Sequence, residues 1–214
     1  MNEAPNQDWL QSIASQTSTR VFKAGETIAL QGEPTDYVGY IISGKAKAIS
    51  YSEDGVATWV GYFLAEEFFG HMSLLTNTPA NFEISAATDM KVIIISVKTM
   101  RGLLSDDTQL SLILANDLAA RLDMMTRRLV EAITLSAKGR ICAELARLSN
   151  IIGIMPDKSI IRPNPIFVEL AMRVSSTRET VSRTISELQK QGIITREPGA
   201  LVIEKPEHLK AAIK

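Results

Sequence analysis

Apolar residues in the first half of the chain recur with the spacing of short β-strands. The clearest runs are residues 40–42 (YII), 59–63 (WVGYF) and 92–95 (VIII), and sequences rich in glycine, asparagine and aspartate separate them. Many short strands at such regular spacing predict an antiparallel roll or barrel. We therefore predict that residues 1–105 form a β-roll domain.

The apolar spacing becomes helical between residues 106 and 136. Apolar side chains there recur three and four residues apart, as in the seam of a two-stranded coiled coil. These side chains are Ala115, Leu118, Leu122, Met125, Leu129 and Ala132. The pattern predicts one long helix that pairs with the same helix of a second subunit. The alternative is a helix that packs only on its own β-roll.

Two short helices joined by a tight turn are predicted in the last third of the chain. Ser176 and Glu179 have the S-x-x-E spacing of a capping box, and Gly192 lies where a helix would end in a left-handed turn. Asn164 followed by Pro165 predicts the start of the preceding helix. Such a helix-turn-helix places its second helix in the major groove of DNA.

A β-hairpin is predicted after the second helix. The apolar runs 193–195 (IIT) and 200–203 (ALVI) flank a Pro-Gly turn. Helix, turn, helix and hairpin together make a winged helix, which we assign to residues 137–214. Gly139 interrupts the helical pattern near the start of this domain, and we predict that it is a hinge.

The polar face of the second predicted helix has the side chains that read DNA bases. Val181, Ile185 and Leu188 form its apolar stripe, and two arginines and a glutamate lie off that stripe. Arginine donates two parallel hydrogen bonds to the edge of guanine, and a carboxylate accepts from the cytosine amine. An ordinary surface helix in which Glu179 pairs with Arg183 would have the same pattern.

Composition and cysteine content narrow the class of protein. The 214 residues are 45% hydrophobic and 22% charged, which is typical of a globular chain of one or two domains. There is no apolar run of about 18 residues, and MNEAPNQDWL lacks the basic start and apolar core of a signal peptide. We therefore expect a cytoplasmic protein without a membrane contact. A single cysteine, Cys142, excludes an internal disulfide and an iron–sulfur cluster, which needs about four ligands.

The formal net charge of -1 hides a difference between the two parts of the chain. Residues 138–214 contain 13 lysines and arginines against 8 acidic residues, whereas residues 1–137 contain 10 against 16. The positive excess therefore falls on the predicted winged helix, as attraction to phosphate requires.

The predicted roll also suits a cupin, which is a metal-binding enzyme barrel. Cupin-type sites cluster several histidines, and this chain has only His71 and His208. The histidine content therefore disfavours an enzyme, and we predict neither catalytic residues nor a metal site.

The sequence LAMRVSSTRETVSRTISELQKQGII at residues 170–194 resembles the DNA-binding segment of the cAMP receptor protein and fumarate-nitrate reductase regulator (CRP/FNR) family. The resemblance implies an α+β homodimer with an antiparallel β-roll, a long dimerisation helix and a winged helix-turn-helix. It also implies a palindromic site with TGTGA-like half-sites and contact with RNA polymerase. The residues implied at the DNA surface are Arg178, Glu179 and Arg183, which would contact bases, and Thr177, Thr180 and Ser182. Two positions differ from the family pattern: Ser175, where glycine is common, and Val168, where a polar residue often approaches phosphate.

The resemblance extends to the β-roll, where FFGHMSLLTNTPANFEISAAT at residues 68–88 is similar to a phosphate-binding cassette. In cAMP-binding members a glutamate after the Phe-Gly pair binds the ribose, and an arginine after the Thr-Pro pair neutralises the cyclic phosphate. His71 and Ala80 occupy these positions here. Alanine supplies none of the charge-assisted hydrogen bonds that arginine makes to phosphate, so we predict that cAMP does not control this protein.

The sequence is compatible with several interpretations of the implied effector pocket. The pocket residues implied by the resemblance are His71, Met72, Ser73, Ala80, Asn81, Met125 and Thr126. A carbon-monoxide-sensing branch of the family holds haem through this stretch, so His71 with Met72 is a candidate haem site. The other possibilities are a histidine that only fills space, a polar effector bound by Asn81, and no effector at all.

Overall fold

The computed structural model divides into two units, Met1–Asp123 and Met124–Lys214. The residues that it describes are Ser15, 17–150, 154–155 and 158–214. The first ten residues, on which the signal-peptide prediction rests, lie outside the described residues. The sequence also predicts a loop with a short strand at residues 150–163, and its residues Gly153 and Pro156 likewise lie outside the described residues.

Two antiparallel sheets form the β-rich part of the first unit, with strand orders β1-β8-β3-β6 and β2-β7-β4-β5. The strands are β1 (Ser18–Phe22), β2 (Thr27–Ala29), β3 (Tyr37–Ser43), β4 (Ala46–Tyr51), β5 (Ala57–Phe63), β6 (Phe68–Phe69), β7 (Glu83–Ala86) and β8 (Met90–Ser96). Each of the apolar runs used to predict strands lies within one of them. The antiparallel β-roll predicted from their spacing is therefore confirmed.

Close packing between β3 and β6 fixes the residues that lead into the candidate pocket. Gly39 pairs with Phe69 across the two strands. A Cβ atom on Gly39 would lie 2.1 Å from Cζ of Phe69, so only glycine lets the ring approach this closely. Phe69 is fully buried, and Gly70 follows it in the left-handed conformation with φ of 82°. The first helix begins directly after this turn.

The described residues also form seven helices. They are α1 (His71–Thr76), α2 (Val97–Asp106), α3 (Thr108–Thr134), α4 (Ala137–Asn150), α5 (Phe167–Arg173), α6 (Arg178–Lys190) and α7 (Pro206–Ala211). The prediction of a single helix over residues 106–136 is confirmed for the 27 residues of α3. Asp107 starts this helix, because its carboxylate accepts hydrogen bonds from the backbone of Gln109 and Leu110.

Helix α3 ends at Thr134 and α4 begins at Ala137, so the helical backbone is interrupted at Leu135 and Ser136. The prediction of a hinge at Gly139 was therefore wrong. The Ser136 hydroxyl accepts from the Gly139 backbone N–H at 3.1 Å and caps the new helix, which leaves Gly139 inside its first turn. Gly139 is instead a point of close approach. A Cβ atom there would lie 2.4 Å from the backbone oxygen of Lys214.

A small sheet of order β11-β12-β10-β9 and four helices build the second unit around one apolar core. Its strands are β9 (Ile154–Met155), β10 (Lys158–Ile161), β11 (Ile194–Glu197) and β12 (Ala200–Ile203). The antiparallel pair β11 and β12 is the predicted hairpin. Cys142 lies in this core, and burial raises the pKa of its thiol to about 11, which is the behaviour of a packing residue rather than a reactive one.

Candidate nucleic-acid interface and effector pocket

Helix α6 is the second helix of the predicted helix-turn-helix, and it begins one residue later than predicted. Thr177 is its N-cap, with a hydroxyl that accepts from the backbone N–H of Thr180 at 3.1 Å. The predicted capping box of Ser176 and Glu179 was therefore wrong. Ser176 is held in the turn because its backbone N–H donates to the oxygen of Ala171 at 3.0 Å.

The two faces of α6 have opposite character, as the spacing predicted. Val181, Ile185 and Leu188 are each 1% exposed or less and pack in the core of the second unit. Arg178, Glu179, Ser182 and Arg183 are exposed on the other face, Thr177 is exposed beside them, and Thr180 is half-buried. The helix therefore presents the predicted polar side chains to solvent on a rigidly packed backbone.

The exposed face of α6 continues beyond the residues singled out from the sequence. A shallow depression there is lined by Ser182, Arg183, Ser186, Glu187 and Lys190. Ser186 and Lys190 follow Ser182 at intervals of four residues, which places them on the same face. That spacing in the sequence was the available indication of this longer polar surface.

The first helix of the motif, α5, starts at Phe167 after the N-cap residue Ile166, so the prediction of an Asn164 cap was wrong. The Asn164 amide instead donates to the backbone oxygen of Glu197 at 3.3 Å, which links the start of this segment to the β-hairpin. A second contact has the same effect, because the Arg196 guanidinium lies 4.6 Å from the centre of the Phe167 ring. The wing is thus attached to the helix-turn-helix at two places.

The turn between α5 and α6 contains a backbone conformation that favours glycine. Ser175 has φ of 48°, in the left-handed region, at the position where the family commonly has glycine. Arg140 makes three hydrogen bonds to backbone oxygens, two in this turn and one at the break after α3. Its guanidinium donates to Val174 at 2.8 Å, to Ser175 at 3.1 Å and to Leu135 at 3.0 Å. No local spacing in the sequence singles out Arg140 for this role.

His71 is more deeply buried than the sequence suggested, with 1% of its surface exposed. Its Nε2 atom lies 3.6 Å from Oδ2 of Asp117, and neither ring nitrogen makes a hydrogen bond in the part of the chain that the structure describes. Burial lowers the pKa of His71, the Asp117 carboxylate opposes that effect, and the Arg121 guanidinium reinforces it. The imidazole is therefore held in its neutral form.

Arg121 is the charged group beside His71 that sequence reasoning missed. Its guanidinium donates to Asp117 at 2.9 Å and to Glu67 at 2.8 Å, and it lies 4.0 Å from the centre of the Phe63 ring. Two carboxylates thus compensate this one guanidinium. The group is already paired within the protein rather than available to an incoming anion.

The other predicted pocket residues differ in exposure and in position. Met72 and Asn81 are exposed, whereas Ser73 and Ala80 are half-buried. The backbone of Ala80 pairs with that of Gly32 and Glu33, at 2.8 Å and 3.0 Å. Met125 and Thr126 lie on the part of α3 that belongs to the second unit. Among the residues that are described, no group of three His, Cys, Asp or Glu side chains is placed to hold a metal ion.

Helix α3 has buried apolar residues near its start and exposed apolar residues further along. Near its start, Leu110 and Leu114 are buried against the β-roll with Val38 and Ile95, so this end packs on its own unit. The predicted dimer residues Ala115, Leu122, Leu129 and Ala132 are exposed, and Leu118 and Met125 are half-buried. Ile133, which the prediction did not include, is 75% exposed.

Within the described residues no helix has the length and apolar content needed to cross a bilayer.

Comparison with known families agrees with the geometry of both units. Residues 19–107 match the family model described as Cyclic nucleotide-binding domain, and residues 139–212 match the Crp-like helix-turn-helix domain. The CRP-like cAMP-activated global transcriptional regulator of Mycobacterium tuberculosis is 25% identical over 189 residues, which cover 88% of this chain and 84% of that protein. The cAMP-activated global transcriptional regulator Vfr of Pseudomonas aeruginosa is 23% identical over 207 residues, or 95% of this chain and 97% of Vfr.

Solved structures of similar fold include the c-di-GMP responsive global regulator CLP of Xanthomonas campestris. It superimposes with a TM-score of 0.82 at 24% identity and covers 92% of this chain and 99% of its own. A CooA variant from Carboxydothermus hydrogenoformans superimposes with a TM-score of 0.83 at 16% identity. The match covers 100% of this chain and 97% of the CooA chain. At these identities the likeness establishes a shared fold.

Proposed function

Because this chain belongs to the CRP/FNR family of DNA-binding transcription regulators, we propose that it acts as a homodimer on a palindrome with TGTGA-like half-sites and that cAMP does not control it. The named relatives are transcription regulators and not enzymes. The observation that carries the proposal is α6, which exposes Arg178, Glu179 and Arg183 while its opposite face is buried.

Base reading is assigned to the three charged side chains of α6. Arg178 and Arg183 are long, forked donors that can each make a bidentate contact with guanine, and Glu179 can accept from the amine of cytosine. Thr177, Thr180 and Ser182 are short hydroxyl side chains on the same end of the helix, suited to neighbouring bases and phosphates. The positive excess of residues 138–214 supports phosphate attraction.

Dimerisation is assigned to the exposed apolar face of α3. Leu129 and Ile133 are 61% and 75% exposed, and large apolar side chains clustered on one helix face mark an interaction surface. A second copy of the same helix would cover them in a coiled-coil seam, and would supply the second reading helix that a palindrome requires. Contact of the DNA-bound dimer with RNA polymerase belongs to the same proposal.

Three residues of the first unit support the proposed independence from cAMP. Ala80 offers no charge to a cyclic phosphate, and His71 replaces the ribose-binding glutamate. Arg121, the basic side chain beside His71, is already bound by Asp117 and Glu67. For Arg121 to take the place of the missing arginine, it would have to give up these ion pairs.

Haem binding through His71 is the alternative. An axial ligand must direct a ring nitrogen into a space that admits the porphyrin. The His71 ring is 1% exposed and its Nε2 atom faces the Asp117 carboxylate, so these residues do not fit a haem ligand in this arrangement. A purified protein with a Soret absorption band would favour this alternative.

Selection of bound duplexes from a random DNA pool tests the proposal, in parallel without ligand and with millimolar cAMP. We expect an enriched inverted repeat with TGTGA-like half-sites that is the same in both selections, together with no heat of cAMP binding in calorimetry. A pool without an enriched motif would contradict the DNA-reading role. Tight, stoichiometric cAMP binding would contradict only the proposed independence.

A further inference from the structure

Glu144 is a buried carboxylate of the second unit and has arginines around it. Its side chain is 2% exposed and projects from α4. Arg173, the last residue of α5, donates to Oε1 at 3.1 Å, and Arg128 of α3 approaches Oε2 at 3.5 Å. Arg147, one turn further along α4, also contacts Oε2. One carboxylate is therefore shared by guanidinium groups from three helices.

Two further contacts extend this group towards α3. Arg147 donates to both carboxylate oxygens of Glu131, at 2.6 Å and 2.8 Å. Arg128 donates to the backbone oxygen of Arg173 at 3.1 Å, at the C-terminal end of α5. We refer to Arg128, Glu131, Glu144, Arg147 and Arg173 as the Glu144 cluster.

The Glu144 cluster bridges the break at Leu135 and Ser136. Arg128 and Glu131 precede the break on α3, whereas the other three members follow it. Without the Glu144 cluster, the non-helical backbone at the break would allow α4 and α5 to rotate relative to the end of α3. Charge-assisted hydrogen bonds that are shared among several partners oppose such a rotation, because each has a narrow range of distance and angle.

The cluster is a poor arrangement for stability alone. The Arg128 Nε atom is buried and has no hydrogen-bond partner among the described residues, and burial lowers the pKa of this guanidinium against the attraction of Glu144. For Arg147, burial is outweighed by Glu144 and Glu131, which raise its pKa. Buried ion pairs often stabilise a fold less than apolar residues of the same size would, and their best-attested use is to specify one arrangement.

We propose that Glu144 is a positioning residue for DNA recognition, which sets the orientation of the helix-turn-helix relative to the end of α3. This inference rests on the proposed homodimer that reads a palindrome. The orientation matters because α5 packs on α6, and a displacement of each recognition helix by about 3.4 Å changes its register on DNA by one base pair. Glu144 therefore restricts which half-site spacing the dimer accepts, through Arg128 and Arg173.

Glu144→Gln in the full-length chain tests this role, with Glu207→Gln as the matched control. Glu207 pairs with Lys210 on the surface, and its side chain is 81% exposed. Dissociation constants are measured for the preferred palindrome, for palindromes with half-sites moved one or two base pairs apart or together, and for a single half-site. Thermal unfolding is followed for each variant.

We expect Glu144→Gln to bind the preferred palindrome at least tenfold more weakly and to lose its preference among spacings, while its single half-site affinity stays within twofold of the wild type. Glu207→Gln should match the wild type on every probe. Retention of the wild-type spacing profile, or an equal loss on palindrome and half-site, would overturn the positioning role.

Arg128→Lys keeps the experiment decisive if Glu144→Gln does not fold. Lysine retains the charge but loses the forked contacts to Glu144 and to the Arg173 backbone, so the same broadened spacing is expected. A wild-type spacing profile for this variant would also overturn the inference. A wild-type protein that shows no spacing preference would contradict the proposed dimer instead.

Discussion

The imidazole of His71 and the carboxylate of Asp117 lie 3.6 Å apart, from Nε2 to Oδ2. The pair does not make the histidine basic, because burial of the ring lowers its pKa more than the carboxylate raises it, and Arg121 adds to the lowering. The first unit thus contains a neutral histidine beside an ion pair of Asp117 and Arg121. Protonation of His71 would place a buried positive charge next to a guanidinium.

This relationship predicts that acid destabilises the first unit through His71. The unfolded chain protonates this histidine near pH 6.5, whereas the folded chain does so only at lower pH. The unfolded state therefore binds more protons in that interval. The contribution of the neutral His71 to the free energy of unfolding is complete above about pH 6.5. It is lost as the pH falls below that value, by at most about 1.4 kcal/mol per pH unit. Urea unfolding between pH 7.5 and 5 measures the slope.

His71→Gln should reduce that slope, and His208→Gln, at an exposed histidine of the second unit, is the matched control. Equal slopes for the wild type and His71→Gln would show that the titration of other groups governs the acid response.

The arginines of α6 should contribute to sequence preference and not only to affinity. Arg178→Ala and Arg183→Ala should each cost about 1–3 kcal/mol of binding free energy and relax the preference at one base pair. Lys23→Ala is the control, because Lys23 is exposed on the β-roll and pairs with Asp89. Titrations against duplexes that differ at single positions measure the effect. Losses of the same size on random DNA would mean that the arginines bind only phosphate.

A charge on the exposed face of α3 should separate the subunits. Ile133→Glu places a carboxylate where the proposed seam is most exposed, and burying it against its copy in the partner would cost far more than leaving it in water. We expect at least a tenfold weaker dimer, or about 1.4 kcal/mol, in sedimentation velocity over a range of concentrations. Leu30→Glu, on an exposed position of β-roll, should not change the dimer. An unchanged dimer in Ile133→Glu would place the interface elsewhere.

Ser175→Gly should stabilise the second unit. Ser175 has φ of 48°, and a non-glycine residue held in that region costs about 1–3 kcal/mol. Glycine removes this strain but adds about 0.5–1 kcal/mol of backbone entropy to the unfolded chain. A net gain of up to about 2.5 kcal/mol is therefore expected in chemical unfolding. Ser176→Gly, at the next position, should lower the stability, and the same sign for both variants would argue against strain at Ser175.

Local periodicity explains what could be read from the sequence. The stripe of Val181, Ile185 and Leu188 follows the helical repeat, so the buried and exposed faces of α6 were predictable. The N-cap was not, because Ser176 and Thr177 both suit a cap. The choice between them depends on the hydrogen bond from Ser176 to Ala171 in the folded turn.

Contacts between distant residues account for what the sequence did not reveal. Arg121 binds Glu67, which lies 54 residues earlier, and Arg128 reaches the backbone of Arg173, 45 residues later. No spacing rule connects such positions. The burial of His71 likewise follows from the packing of the roll, which a lone histidine in the sequence does not report.

Fluorescence anisotropy of the full-length chain with two labelled duplexes would decide whether this protein reads sequence. One duplex contains the TGTGA palindrome, and the other has the same composition with shuffled half-sites, both at about 150 mM salt because phosphate binding depends on ionic strength. We expect binding to the palindrome to be at least about 10³-fold tighter. Equal affinity for the two duplexes would contradict the assignment of Arg178, Glu179 and Arg183 to base recognition.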